Sequence, residues 1–270
     1  MNIKEHFEYK PYLDLTASNI GINKWDWKSI STENEDAAKT IMKENRFDVL
    51  PIINSDNSIT KYFSTRNWNN YENLNLSVIL ESDRVYYRLS FCDLIRKFSV
   101  EKKHYYFLTD YNSIVGLVSF INLNCQAVYN YLFQLISDVE RSVACFLKLH
   151  LTTDDIISSF KDSNDAHVAE VLKSYEKAAS EGFDNSIFEY MYLQTLGIVI
   201  KKMSAKIPNK QKKLLSYHAK FSPQGIYGIL RNKIMHPVRP ILNDEYTISN
   251  IYELIQDYEI IKELLSNENK

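Results

Sequence analysis

The 270-residue chain has few of the residues that break or cross-link a fold: six glycines, six prolines and three cysteines. A composition with so little glycine and proline leaves no room for long disordered segments. Cys92, Cys125 and Cys145 show neither CxxC nor CxxH spacing, which argues against a disulfide framework and a thiolate zinc site. We therefore expect reduced and mostly buried thiols.

Long apolar runs are also lacking. No stretch approaches the roughly 18 consecutive apolar residues needed to cross a bilayer, and the first ten residues lack the apolar core of a signal peptide. Hydrophobic residues nevertheless make up 45% of the chain, enough to fill the core of one large domain or two ordinary ones. We expect a cytoplasmic protein that does not interact with membranes.

Acidic residues are absent from one long stretch: none of the 54 residues from Tyr190 to Asn243 is Asp or Glu. About seven would be expected by simple proportion, and the net charge of −2 for the whole chain conceals the asymmetry. The stretch contains ten basic residues, Lys201, Lys202, Lys206, Lys210, Lys212, Lys213, Lys220, Arg231, Lys233 and Arg239. A local basic field of this kind attracts a polyanion such as a phosphodiester chain.

The first part of the chain, residues 1–124, contains a repeated pattern. A predicted helix, strand, turn and strand occur twice, about 55 residues apart. The first copy covers 34–44, 47–53, 54–58 and 59–63, and the second covers 90–98, 104–109, 110–113 and 114–118. Because one copy cannot cover its own sheet, we expect the two copies to pack against each other.

From residue 125 onward, apolar residues recur every three or four positions, which predicts helices. These run approximately over 126–150, 166–180, 186–206, 222–235 and 249–265. The sequence therefore predicts an α+β protein with two domains, an α/β tandem repeat in 1–124 and an all-α helical bundle in 125–270. No Gly/Pro-rich linker separates them, so the helix that begins at the boundary is a candidate mechanical link.

The repeated half resembles a tandem pair of CBS domains, on the segments YFSTRN at 62–67 and LVSFIN at 117–122 that close its two copies. The resemblance implies an adenine nucleotide (ATP, ADP or AMP) as a regulator, with Ser64, Asn67, Ser119 and Asn122 as its contacts. Serine and asparagine at helix starts are also ordinary N-caps. Ligand binding, a pair that serves only dimerisation, and a relict fold without a ligand therefore all stay open.

Arg231, Asn232 and His236 stand near the end of a predicted helix that Pro237 terminates. Histidine transfers protons near neutral pH, arginine holds phosphate through a bidentate fork, and asparagine can orient the histidine or contact ribose. This arrangement, in roughly residues 125–268, resembles the HEPN superfamily. The resemblance implies a metal-independent endoribonuclease that needs no cofactor, acts at a homodimer interface and leaves 2′,3′-cyclic phosphate ends. It also implies a toxin or defence role with a cognate antitoxin or defence partner.

RNA, with tRNA as one candidate, is the expected substrate. Its predicted contacts are Lys201, Lys202, Lys206, Lys210, Lys212, Lys213, Lys233 and Arg239. The alternative is that these lysines form a solvated surface and that Arg231 and His236 only stabilise a helix end. The protein would then be a non-catalytic, nucleotide-responsive dimer that binds RNA or a protein partner.

Overall fold

The computed structural model describes residues 14–65, 70–161, 163–183, 185–236, 239–243 and 247–266. The chain divides into two compact units, residues 1–127 and 128–270. The first unit combines helices with two sheets, whereas the described residues of the second are helical with irregular connections. The predicted α+β class is confirmed.

In the first unit, one sheet has the strand order β1-β7-β6-β5 and the other β2-β3-β4. The elements in chain order are α1 Ala17–Ile20, β1 Ile22–Asn23, α2 Glu35–Asn45, β2 Val49–Ile53, β3 Ile59–Thr65, β4 Leu74–Val78, β5 Arg84–Tyr86, α3 Phe91–Glu101, β6 Tyr105–Asp110 and β7 Ser113–Ser119. Both predicted copies are present, as α2-β2-β3 and α3-β6-β7, and each contains an antiparallel hairpin. The sequence pattern does not predict β1, β4 and β5, which extend the two sheets.

The helices of the two copies begin and end in the same way. Asn34 accepts a hydrogen bond from the N–H of Ala37 at 3.0 Å, and Ser90 accepts one from the N–H of Asp93 at 3.1 Å. Each bond satisfies an amide that the first helical turn leaves unpaired. Arg46 and Lys102 then end α2 and α3 in the left-handed region, both at φ 56°.

The two sheets share a hydrophobic core. Val49, Tyr62 and Ile79, from the part of the chain that carries the three-stranded sheet, form one buried cluster with Phe107 and Ile114 from the four-stranded sheet. Burial of such apolar surface contributes roughly 25 cal/mol per Å². The prediction that the two copies pack against each other is confirmed.

The second unit consists of helices joined by short connections. Its elements are α4 Gln126–His150, which begins just before the unit boundary, α5 Thr153–Phe160, α6 Ala166–Ser180, α7 Leu193–Lys202, α8 Ile226–Ile234 and α9 Ile248–Ser266, with 3₁₀ segments at Ile187–Tyr190, Ser204–Lys206 and Asn209–Tyr217. The bounds of α4 and α6 agree with the sequence pattern. The single helix predicted over 186–206 is wrong, because Met191 and Tyr192 are extended and separate a 3₁₀ segment from α7.

Two further expectations concern the cysteines and the membrane. The three cysteines are thiols, but Cys92 and Cys125 are only half-buried and Cys145 is exposed, so the expectation that they are mostly buried is wrong. Within the described ranges, no helix combines the length and apolarity needed to span a membrane.

Candidate functional site

Helix α8 places Arg231 and Asn232 at a cavity of about 310 Å³ in the second unit. The same helix buries Tyr227, Leu230 and Ile234, so its apolar face packs inward and leaves the arginine and asparagine at the cavity wall. Other parts of the wall come from the start of α7, with Tyr192 and Gln194, and from the first turn of α6, with His167.

Close backbone packing fixes the position of α8. A Cβ atom added to Gly228 would lie 2.3 Å from the carbonyl oxygen of Ser222 and 2.7 Å from Cα of Pro223. Only glycine permits this approach, because a side chain would have to displace backbone atoms. The helix begins at Ile226 with Gly225 as its N-cap, so the predicted start at residue 222 is wrong.

Arg231 packs on an aromatic ring, and its charge acts on a carboxylate of α4. Its guanidinium carbon lies 4.9 Å from the ring centroid of Tyr192, within the range of a cation–π interaction. Burial raises the pKa of Glu140, while the N–H of Leu193 and the charge of Arg231 both oppose that rise. Glu140 accepts the hydrogen bond of Leu193 N–H at 2.9 Å. One carboxylate therefore both caps α7 and faces the arginine.

His236 lies two residues beyond the last residue of α8 and is exposed. Its N–H donates to the carbonyl of Lys233 at 3.1 Å, and its carbonyl accepts from the N–H of Arg239 at 2.8 Å. The described residues that line the Arg231 cavity do not include it. Within one copy of the chain, the structure thus brings Arg231 and Asn232 together at the cavity and leaves His236 outside it.

His167, which the sequence reasoning did not select, lines the Arg231 cavity. It follows the N-cap Asp165 of α6, whose carboxylate accepts a hydrogen bond from the His167 N–H at 2.9 Å. The capping pattern at Asp165 is visible in the sequence, but nothing in it connects this helix start to Arg231. Only the tertiary structure brings the two residues to one cavity.

A second and larger cavity, of about 840 Å³, adjoins the first, since Gln194 and Pro223 line both. Lys201 and Lys202 from the end of α7 and His218 also line it. The two cavities therefore follow α7, with Arg231 of α8 near its start and Lys201 and Lys202 at its end, and Asp165 also lines the larger cavity. Such a path presents cations at intervals to an extended anion.

The other basic residues of the acid-free stretch fall into two groups. Some are bound by the protein itself: Lys206 by Asp155 at 2.5 Å, Lys220 by Glu253 and Asp257, Lys202 by the carbonyl of Ser159, and Lys233 by the carbonyl of Ile241 and the side chain of Asn243. The remaining cations, Lys201, Lys210, Lys212, Lys213 and Arg239, are exposed, as are Lys202 and Lys206 of the first group. The acids absent from the stretch are thus partly supplied by α5 and α9.

The first unit contains a separate cavity of about 480 Å³ whose lining comes from both copies of the repeat. Ser119 and Asn122 line it, and Asn122 Oδ1 accepts hydrogen bonds from the Ser119 N–H at 2.7 Å and from the Ser119 hydroxyl at 2.9 Å. The two residues therefore form the capping arrangement and also face the cavity. Asp48 and Thr65 line it from the first copy.

The remaining predicted ligand contacts are placed differently. Ser64 is buried in β3, with 7% of its surface exposed, and its neighbour Thr65 lines the cavity and donates to Asp48 at 3.2 Å. Asn67 lies outside the described residues. The cavity lining also carries the cations Arg46 and Lys103 and the carboxylates Asp48 and Asp83. Asp83 binds Lys103 at 2.7 Å.

Comparisons with known proteins give little further information. No protein-family model matches the chain, and no curated protein matches it. Among solved structures, the chain is similar to an uncharacterised conserved protein from Pyrococcus horikoshii, with 16% identity and a TM-score of 0.31 over 38% of this chain and 84% of that one. In the described part of the chain, no group of three or more His, Cys, Asp or Glu side chains could hold a metal ion.

Proposed function

We propose that this chain is a metal-independent endoribonuclease of the cytoplasm, with Arg231, Asn232 and His236 as its reaction centre. The observation that carries the proposal is the cavity at which Arg231 and Asn232 lie, on a part of the chain that contains no acidic residue of its own. The second unit would then be a HEPN-like domain. A toxin or defence role, with its cognate partner, follows from that resemblance.

The proposed reaction is an internal transesterification of RNA. A base removes the proton of the 2′-hydroxyl, the 2′-oxygen attacks phosphorus, and the 5′-oxygen leaves with a proton from an acid. Arg231 would hold the non-bridging oxygens as their negative charge increases in the transition state. His236 would transfer one proton, and Asn232 would contact ribose. The ring of Tyr192, which is 49% exposed beside Arg231, offers a surface on which a base could stack.

A homodimer fits the position of His236. This histidine is exposed beyond the end of α8, so a second copy of the chain could present its own Arg231 cavity to it. The exposed cations Lys201, Lys210 and Lys212 would bind the RNA backbone. The paired Lys206 would contribute less, because Asp155 already neutralises its charge.

Regulation by an adenine nucleotide is the second part of the proposal, with the first unit as a CBS-like pair. Its cavity of about 480 Å³ falls in the range of small-molecule sites. Arg46 could contact a phosphate, and Asp48 could contact a ribose hydroxyl, with Ser119 and Asn122 at the same cavity. Lys103 would contribute less, because Asp83 binds it at 2.7 Å.

A non-catalytic, nucleotide-responsive dimer that binds RNA or a protein partner is the second candidate. The observation that favours it is the environment of Arg231, which packs on Tyr192 and faces Glu140. The ring contact and the attraction to Glu140 give the arginine a role in stability that requires no substrate. Under this function, His236→Ala would leave RNA binding unchanged, and no preparation would cleave RNA.

The two functions are separated by incubating wild type and His236→Ala with tRNA and with total RNA in EDTA, with and without ATP or AMP. His150→Ala serves as the control, because its ring packs on Phe146, away from the Arg231 cavity. Cleavage by wild type and the control, with cyclic phosphate ends and loss in His236→Ala, supports the ribonuclease. Binding without cleavage by any preparation overturns it in favour of the second candidate.

A further inference from the structure

We infer that His167 is a second proton-transfer residue of this reaction centre, contributed by the same chain as Arg231. The inference rests on the proposed ribonuclease function and extends it. It starts from the cavity of about 310 Å³ at which His167, Arg231 and Asn232 all lie. Three helices therefore contribute residues to the cavity. Helix α6 provides His167, the start of α7 provides Tyr192, and α8 provides Arg231 and Asn232.

The lining of this cavity contains one imidazole and one permanent cation. His167 is the former and Arg231 the latter, and the other described lining residues are amides, hydroxyl groups, apolar side chains and glycine. His167 is exposed, so its ring is accessible to a bound phosphodiester. Its backbone is fixed by the bond from its N–H to Asp165 at 2.9 Å. The structure therefore supplies a proton-transfer group on a rigid helix start.

The reaction needs two proton transfers, and a single histidine can perform only one of them at a time. As the 2′-oxygen–phosphorus bond forms, the 2′-hydroxyl proton passes to a base. As the phosphorus–5′-oxygen bond breaks, an acid delivers a proton to the 5′-oxygen, and no water or other co-reactant is consumed. Asn232 cannot take either role because its amide does not titrate. His167 supplies the second group at the cavity that Arg231 lines, and His236 supplies the other.

The test compares His167→Ala with wild type and with His150→Ala, using full-length protein and one defined RNA in EDTA. General acid–base groups contribute about 100-fold to 10,000-fold in rate, so we expect kcat to fall at least 100-fold. We expect KM to change little and one limb of the pH–rate profile to disappear. Because His167 is exposed, its truncation should leave the melting temperature within about 1 °C of wild type.

The role of His167 is then assigned with an RNA whose scissile 5′-oxygen is replaced by sulfur, a leaving group that needs no acid. If His167 is the acid, His167→Ala cleaves this substrate at nearly the wild-type rate. If His167 is the base, the variant stays slow on it and is rescued by added imidazole. Either result supports the inference.

The failure of the inference differs from the failure of the proposed function. A wild type that cleaves, together with a His167→Ala variant within twofold of its kcat, overturns the inference and leaves the ribonuclease intact. A fall in kcat that neither the sulfur substrate nor imidazole reverses also overturns it, in favour of a structural role. A wild type that cleaves no RNA overturns both.

Discussion

Glu140 offers the sharpest test of how the site is held together, because one carboxylate serves two neighbours. Its Oε2 accepts the N–H of Leu193 at 2.9 Å, which caps the first turn of α7 next to Tyr192. Its pKa is raised by burial, against the opposing effects of Leu193 and Arg231. The side chain of Glu140 therefore stabilises the fold as a hydrogen-bond acceptor, whereas the burial of its charge is destabilising. Substitution by alanine and by glutamine separates the two effects.

Glu140→Ala removes the acceptor. Leu193 is buried, with 3% of its surface exposed, so its N–H would lose its partner away from water. Such a loss costs about 1–3 kcal/mol, similar to the loss of a helix cap. In a unit of this size, roughly 3 °C of melting temperature corresponds to each kcal/mol. We expect the helical transition to fall by about 3–9 °C.

Glu140→Gln keeps an acceptor for Leu193 and removes the charge. The pKa of Glu140 in the folded protein lies above its ordinary value of 4.5, so the folded state holds the proton more tightly than the unfolded state does. The stability of wild type should therefore fall as the pH rises from 4.5 through the folded pKa. Glutamine does not titrate, so Glu140→Gln should match wild type near pH 4 and equal or exceed it at pH 7.

Thermal unfolding followed by far-UV circular dichroism at pH 4 and pH 7 measures both effects. Tryptophan fluorescence is an internal control, because all three tryptophans precede residue 128 and report the first unit. Equal destabilisation by Glu140→Ala and Glu140→Gln would refute the acceptor argument. A Glu140→Gln variant clearly less stable than wild type at pH 7 would show that attraction to Arg231 outweighs the cost of burial.

Three further predictions concern the basic surface and α8. Lys201→Ala should reduce the salt dependence of RNA binding, the slope of log K against log salt, by about 1. Lys206→Ala should change that slope less, because Asp155 binds Lys206 at 2.5 Å, and equal effects of the two substitutions would contradict this prediction. The hydrogen bond from Lys206 lowers the pKa of Asp155 to about 2. Lys206→Met should therefore return that pKa towards 3.8 in an NMR titration, and an unchanged pKa would show that Lys206 is not the cause. Gly228→Ala should destabilise the second unit by about 1–3 kcal/mol, although alanine has the higher helix propensity, because the new Cβ would lie 2.3 Å from the carbonyl oxygen of Ser222. Unchanged stability in urea unfolding would refute the close packing.

Much of the fold is predictable because its signals are local. The 25-residue helix α4 has an unbroken apolar period, and Asn34 and Ser90 are strong caps directly before α2 and α3. The hairpins of the repeat are equally local, since each joins two apolar runs through a short turn. Short strands such as β5, with three residues, carry too little pattern to be recognised without their neighbours.

The break before α7 was not predictable, and its cause is tertiary. The sequence from 186 to 206 contains a continuous apolar period, yet the chain is extended at Met191 and Tyr192. The amide that this break exposes is satisfied by Glu140, a residue of α4 far away in sequence. A helix start capped by another helix leaves no local signature.

A charge count along the sequence overstates the basic field for the same reason. The stretch from Tyr190 to Asn243 contains no acid, but folding brings Asp155 to Lys206 and Asp257 to Lys220. A charge count along the sequence cannot include carboxylates supplied by other helices. The cations that can bind a polyanion are the exposed ones, among them Lys201 and Lys210. Only the structure identifies them.

Local helical geometry predicts the position of only part of the candidate site. Arg231 and Asn232 are adjacent on one helix, so their common position at a cavity follows from local geometry. His236 lies beyond the helix end, where helical spacing no longer fixes its direction. His167 reaches the cavity from a different helix. A reaction that requires two proton transfers needs more titratable groups than the motif contains, and the cavity supplies one. Separate substitution of His167 and His236 therefore shows whether the reaction centre uses both histidines or only the one in the motif.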